Sequence, residues 1–365
     1  MSSGPTPHDI SRDLLRRERR WRLFGFLAIL VSSATLIIAV KGLLVSTILG
    51  FVIAYLFSPI VDWLERRGLG RGLATVLPFA LGGIVVGIGV SIVLPLIVDQ
   101  ATNLVERLPH YQQELTSLVS TIEHKYRAYW KVGQINPSKE LAEWIAMKTA
   151  DVSAALPDAV SHSFTVMMLA PFFAFFMLQD GNAISRSLLS FVPNPLFEIA
   201  LNLRHQINDQ LGGFIRARFL EAAIVGFVVW IGLFALNFPY TTILSIFAAA
   251  TNLIPYLGPI IGAIPAILIT LVSPEFAISE PGTNAATMLI LVTSIYLVAQ
   301  LIDVVFIIPL VVAKIVDLHP VTVVVMIIVG AEVGGILGMV VSIPVASAIK
   351  LTFNALYSHL THLRD

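Results

Sequence analysis

Apolar positions in this chain gather into eight stretches, at about 23–40, 43–64, 73–98, 163–178, 219–236, 241–272, 285–312 and 321–353. A helix needs about 20 apolar residues to cross the hydrocarbon core of a bilayer, so each stretch is a candidate membrane segment. The fourth is short and must borrow turns from its flanks. Two of the eight carry breakers where a spanning helix should run on. Residues 252–265 read N-L-I-P-Y-L-G-P-I-I-G-A-I-P, and residues 330–344 read G-A-E-V-G-G-I-L-G-M-V-V-S-I-P. Pro255 and Pro259 lack amide hydrogens, and Gly258, Gly335 and Gly338 accept backbone shapes that other residues resist. Main chain opened at membrane depth persists only where protein or a water-filled cavity satisfies it. The pattern predicts two broken segments that a transported solute meets.

Between the third and fourth stretches the period changes. Leu104, Leu108, Tyr111, Leu115, Leu118, Ile122, Tyr126 and Tyr129 recur at spacings of three and four, one stripe on an amphipathic helix. Residues 133–137 interrupt it, Asn136 and Pro137 having the form of an N-cap followed by proline in the first turn. Leu141, Trp144, Ile145, Lys148 and Val152 then continue a second helix. A neighbouring subunit or the membrane surface must cover so regular a stripe, and subunit packing is the expectation.

Composition agrees with a membrane protein. Only 13% of residues are charged, against about 25% in soluble domains. Lys+Arg and Asp+Glu balance at 23 each, so net charge does not point to nucleic acid, and no such partner is expected. Cysteine is absent, which excludes disulfides and thiol chemistry. Arg12, Arg16, Arg17, Arg19, Arg20 and Arg22 precede the first stretch as a topology signal seated on anionic headgroups. That stretch has nearly the length of a span and no small-x-small cleavage site before Lys41, so it reads as a retained helix.

Basic residues in short loops favour the cytoplasm. With the N-terminus inside, Arg66, Arg67 and Arg71 are also inside, and the insert lies outside. Arg186, Arg204, Arg216 and Arg218 then return to the cytoplasm, as do Lys314, Lys350 and Arg364. If 241–272 crossed fully, the acidic loop holding Glu275 and Glu280 would be cytoplasmic and Lys314 external. A hairpin returning to its starting side reverses both, so the charges favour hairpins. Each arm of about ten residues gives roughly 15 Å of helix, which brings both tips to mid-membrane.

The fold class expected is all-α and polytopic, with about six spanning helices, two re-entrant broken-helix hairpins and an amphipathic helical insert. Its parts are a cytoplasmic basic arm 1–22, three spans in 23–98, an extracytoplasmic insert 99–162 and a transport region 163–353. That region contains a cytoplasmic helix 194–218 and broken hairpins 241–272 and 320–348. A cytoplasmic tail 354–365 follows. Segments broken by Gly and Pro in this arrangement point to the binding site of a secondary transporter.

Asp303 is the sharpest chemical candidate, because a carboxylate inside an apolar run is costly unless paired, hydrated or protonated. It suits reversible protonation or sodium coordination. The alternative is a structural carboxylate locked to an arginine such as Arg216 or Arg218. Tyr296 and Gln300 share its helical face. Glu332, at the second break, either pairs with Asp303 or faces water as an exposed acid. Asn252 and Tyr256 offer an amide and a hydroxyl at the first break, though Tyr256 also suits packing. Arg216 and Arg218 read first as topology markers, with gating or coupling as the alternative. His319 fits a loop cap or a gate. Gly82, Gly83, Gly87 and Gly89 fit close helix packing.

Residues 252–259 (N-L-I-P-Y-L-G-P), Asp303 with Pro309, Leu318-His319-Pro320, and Gly335-Ile336-Leu337-Gly338 with Pro344 together resemble the autoinducer-2 exporter (AI-2E) family of bacterial permeases. The order of three spans, an amphipathic insert and a broken-helix C-terminal half matches as well. Gly334 departs from the family, which more often has a bulky aromatic there. The resemblance implies a transporter in the bacterial inner membrane, assembled as a pentamer and moving a substrate-bearing part elevator-fashion. Relatives are linked to export of a quorum-sensing furanone and to sodium/proton exchange. The expected partners are thus the lipid bilayer, a small polar solute, and a monovalent cation or proton.

Signatures of enzymes are missing: there is no G-x-S-x-G, H-E-x-x-H, P-loop or cysteine cluster. No enzymatic activity, cofactor or metal site is expected. Three readings follow: an exporter of a small polar solute, a sodium(lithium)/proton antiporter, and a membrane scaffold that transports nothing.

Overall fold

A computed structural model describes residues 32, 35, 43–126, 137–190, 192, 197–255, 257–272, 285–312 and 318–362. Its ordered elements are α1 Leu43–Arg66, α2 Arg71–Tyr126, α3 Pro137–Ser190, α4 Phe197–Ala235, α5 Thr241–Asn252 and α6 Gly258–Val272. Then follow α7 Ala285–Ile302, which runs on as a π-helix Asp303–Val312, and α8 Pro320–His362. No strand occurs among the described residues. Six segments are long and apolar enough to cross a membrane: Leu43–Arg66, Arg71–Arg107, Thr165–Ser190, Phe197–Ala235, Ala286–Ile307 and Val321–Ala355. The expected span at 23–40 and the basic arm 1–22 fall almost wholly outside the described residues.

Two runs expected as separate elements are continuous. Pro95 does not end the helix, and α2 carries the third apolar stretch on into the insert over 56 residues, about 84 Å at 1.5 Å per residue. Likewise α3 joins the second insert helix to the fourth stretch, and α4 merges the helix expected at 194–218 with the fifth.

The helices pack in two groups. In the first, α1, the start of α2 and α3 bury Ala54, Val61, Ala74, Ala174 and Leu178. Arg71 fastens this group, donating through Nε and Nη2 to the Leu178 carbonyl at 3.1 and 2.6 Å and through Nη1 to Glu65 at 2.6 Å. In the second, α4 to α7 bury Val229, Leu233, Leu244, Ala266, Val292 and Ala299 in one apolar cluster.

The insert's stripe is covered differently from expectation. Leu104, Tyr111 and Leu115 pack against the α4–α7 cluster of the same chain, so at these positions the cover is intramolecular. Phe238, Tyr240 and Leu244, at and just before the start of α5, provide the apolar surface. Two polar contacts fix the register: Gln100 Oε1 accepts the Ile243 amide hydrogen at 3.1 Å, and the Tyr111 and Tyr240 hydroxyls lie 3.3 Å apart. Burial and the Tyr240 contact push the Tyr111 phenol above its ordinary value. The glycines of α2 also depart from expectation. Only Gly82 meets a neighbour, the Phe57 ring, whereas Gly83, Gly87 and Gly89 have no described atom within 4 Å of a would-be Cβ. That face of α2 is left apolar and exposed, at Ile84, Val85, Val86 and Ile88.

Both breaks are present. α5 ends at Asn252 and α6 begins at Gly258, and the two helices pack on one another. In α8 the helix is interrupted at Gly334 (φ −138°, ψ 17°) and Gly335 (φ 59°, ψ −141°), the second a conformation that needs glycine. A Cβ on Gly330 would strike the Gly338 carbonyl, and one on Gly338 would strike Gly330. Eight residues of straight helix span about 12 Å, so the arms on either side of the break must fold back beside each other.

The two tips meet different surroundings. The second tip, at Gly334, faces Leu44 and Ile48 in the first turns of α1, roughly 30 Å of helix from Arg66. The first tip, at Ile254, packs with Phe214, Val323, Ile327 and Ile343, against the arms of the second hairpin rather than its tip.

Candidate functional site

The first break is a tight turn, not a stretch of free main chain. Pro255 cannot donate a hydrogen bond, so the helix cannot continue through it unbroken. The amides on either side close locally: Leu253 N on Ala250 O, Ile254 N on Thr251 O at 2.9 Å, Leu257 N on Pro255 O at 2.8 Å and Gly258 N on Ile254 O at 2.9 Å. Gly258 must be glycine, because a Cβ there would run into the Thr251 carbonyl. Pro255 is buried and Pro259 half-buried. The turn therefore delivers the end of α5, with Asn252 only 2% exposed, into the bundle.

What Asn252 meets there is a buried charged cluster. Its amide nitrogen lies 3.5 Å from Glu221 Oε1, the outer limit of a hydrogen bond, and Arg218 Nη1 donates to the same oxygen at 2.5 Å. Arg218 and Glu221 stand one turn apart on α4 and are 7% and 1% exposed. From the other side comes Asp303, 3% exposed, at the first residue of the π-helix. Its carboxyl is within electrostatic reach of the Glu221 carboxyl and the Arg218 guanidinium. Pro309, which has no amide to offer, lies within the π-helical run. Widened turns of this kind recur at functional sites, and this one packs against α4.

The cluster is incompletely satisfied. Glu221 Oε2, Asp303 Oδ1, Arg218 Nε and the Tyr296 hydroxyl are all enclosed and have no hydrogen-bond partner. Buried polar atoms are nearly always bonded, and an exception calls for an explanation. Two carboxylates facing one guanidinium also leave one negative charge uncompensated, which is costly away from water. Chemically, the arrangement can accept a proton, a small cation or the donor groups of a polar solute.

Of the residues expected from sequence, the structure brings together Asn252, Asp303 and Arg218. Gln300 is half-buried one turn before Asp303. Tyr256 lies outside the described residues. Glu332 is exposed at the second tip, and the carboxyl that meets Asp303 is that of Glu221 instead. Arg216 and Arg218, expected first as topology markers, both reach into the bundle. Arg218 is in the cluster, and Arg216 Nη1 donates to the Tyr55 carbonyl at 3.2 Å, about 16 Å along α1 from Arg66. His319 is exposed, and its Nδ1 accepts the Val321 amide hydrogen at 3.3 Å. Gly335 forms the second turn and Gly338 the close crossing beneath it.

Glu221 is the residue that sequence reasoning missed. Its signal was available: it is an acid two residues inside the fifth apolar stretch and one helical turn from an arginine, the pattern that intramembrane ion pairs share.

Comparison with known proteins agrees with this architecture. The model of a family described as AI-2E family transporter matches residues 26–358. YrrI and YueF of Bacillus subtilis, both named for transport, are 26% and 27% identical over 86% and 87% of this chain, covering 86% and 85% of their own lengths. PerM of Escherichia coli, named as a permease, is 25% identical over 91% of this chain and 92% of its own length.

Proposed function

The chain belongs to the AI-2E family of transporters, a multi-pass membrane protein with a transport function, and from that premise we propose that it is a secondary transporter exporting a small polar solute. A furanone signal of the autoinducer-2 type has the right character, being compact and rich in hydroxyls that amide and carboxyl groups recognise. The observation that carries this reading is the meeting of a broken hairpin with a buried, partly unsatisfied polar cluster at Asn252, Glu221 and Asp303. A scaffold has no use for such a place.

An elevator movement is the mechanism this reading favours. The division of packing into an α1–α3 group and an α4–α8 group that carries both hairpins supports it. On this reading the first hairpin is re-entrant. Tyr240 before α5, Val272 at the end of α6 and Tyr111 of the insert share one cluster, as expected if both ends of the hairpin return to the outer side. The second hairpin then enters from the cytoplasm, where both termini lie, in the inner membrane of a bacterium. Family resemblance adds a homo-pentamer. Gln300 and Tyr256 line the solute path, and Arg216 and His319 act in coupling or gating.

The uncompensated carboxylate favours one second reading, a sodium(lithium)/proton antiporter. Purified protein in liposomes, tested for uptake and efflux of a panel of small polar solutes and of sodium with an internal pH dye, separates the readings. Export of a polar solute that Asp303→Asn reduces to background, while Glu332→Gln leaves it intact, is the expected result. Sodium-driven proton movement without solute transport would replace the first reading by the second. Neither activity in well-folded protein would return the scaffold.

A further inference from the structure

We propose that Glu221 and Asp303 hold a single proton between them, with Arg218 as the fixed counter-ion, and that this shared proton is the coupling charge. The inference rests on the transport reading and adds the residues and the stoichiometry to it.

Three observations carry it. The two carboxyls, 1% and 3% exposed, lie within electrostatic reach of each other, and like charges that share a buried site are relieved when one of them takes a proton. Among the described residues no third Asp, Glu, His or Cys joins the pair. Second, Glu221 Oε2 and Asp303 Oδ1 are sealed from solvent and unpartnered, so the site is short of donors. Third, the charges count to one: two carboxyls and one guanidinium become neutral when one proton is added.

The groups facing this pair from each packed element are few. Arg218 flanks it on α4 and Asn252, at the end of α5, is neutral. Among these neighbours Arg218 supplies the one positive charge. Removing either carboxyl therefore leaves one carboxylate to one guanidinium, already balanced, and the proton should go.

Infrared spectroscopy of the full chain in lipid, without any solute, reads this directly. Wild type should show one carboxylic-acid C=O band that shifts in heavy water and fades as the buffer is made alkaline. Glu221→Gln should abolish it, and so should Asp303→Asn, whereas Glu332→Gln should keep it. If each single variant keeps half of the band, the carboxyls hold separate protons and the inference fails. It fails too if wild type lacks the band and sodium chloride instead shifts carboxylate bands, since the site then takes sodium. Because the band is read without transport, a wild type that moves no solute overturns only the transport reading. A pair of variants that lose the band yet still pump solute against a gradient overturns the coupling alone.

Discussion

In the first hairpin Thr251, Asn252, Ile254, Pro255 and Gly258 are buried at the turn, with Leu257 exposed. In the second, Glu332, Val333, Gly335 and Ile336 are exposed around the turn. The two are built alike otherwise, each bringing its arms together where a glycine faces main chain, at Gly258 on Thr251 and at Gly330 on Gly338. What separates them is the destination of the tip. The first tip is pinned among apolar side chains of α4 and α8, and its polar end is bound into a charged cluster. The second touches Leu44 and Ile48 with its backbone and leaves its one acid in the open. An acid at a broken helix is thus not by itself a site. On the proposed function, the chemistry belongs where a break coincides with buried charge on neighbouring helices.

The largest effect should come from the charge that holds the first tip. Arg218→Met leaves two buried carboxyls without a counter-ion, and breaking a buried pair from one side costs about 3–5 kcal/mol. Glu332→Gln should stay within about 0.5 kcal/mol, as exposed changes do. Unfolding midpoints of the purified protein in detergent compare the two. Equal losses would mean that the second tip is held as firmly by its acid as the first is by its buried ions, and the contrast would collapse.

A smaller effect separates the turns themselves. Gly258→Ala drives a methyl into the Thr251 carbonyl, and forced overpacking costs about 1–3 kcal/mol. Gly334→Ala meets only the Leu44 and Ile48 side chains at ordinary contact distance, with φ at −138°, so it should be nearly silent. The same unfolding assay decides. A damaging Gly334→Ala would show a second tip more tightly seated than its neighbours indicate.

The helical segments and both breaks were legible in the sequence, because apolar runs and Pro/Gly breakers act locally. Asp303 and Asn252 were legible as polar groups out of place in apolar runs. Their meeting was not, since it depends on how α4, α5 and α7 pack, and no local signal encodes that. Arg218 illustrates the limit. Beside Arg216 and a polar stretch it has the appearance of a border residue, and only the depth of α4 in the bundle makes it a buried ion. For Glu332 the sequence left two places open, paired with Asp303 or exposed, and tertiary placement leaves it exposed. The insert's stripe also turned on tertiary packing. Its period was right, but its cover was the chain's own hairpin.

That cover gives the smallest and most local test. Tyr111→Phe removes the hydroxyl that faces Tyr240 at 3.3 Å and keeps the ring in its cluster. One buried hydrogen bond contributes about 1 kcal/mol, so the loss should be of that size, well below that of Arg218→Met. Its pH dependence has a definite sign. Burial, helped by Tyr240, raises the Tyr111 phenol above its ordinary value. The contribution is therefore whole below the phenol's ordinary range and declines as pH climbs through that range, where only the unfolded chain ionises. Wild type should lose stability in alkali more steeply than Tyr111→Phe. Parallel curves would mean that the insert and the first hairpin are held by the Leu104 and Leu115 contacts alone, with the tyrosine pair a bystander.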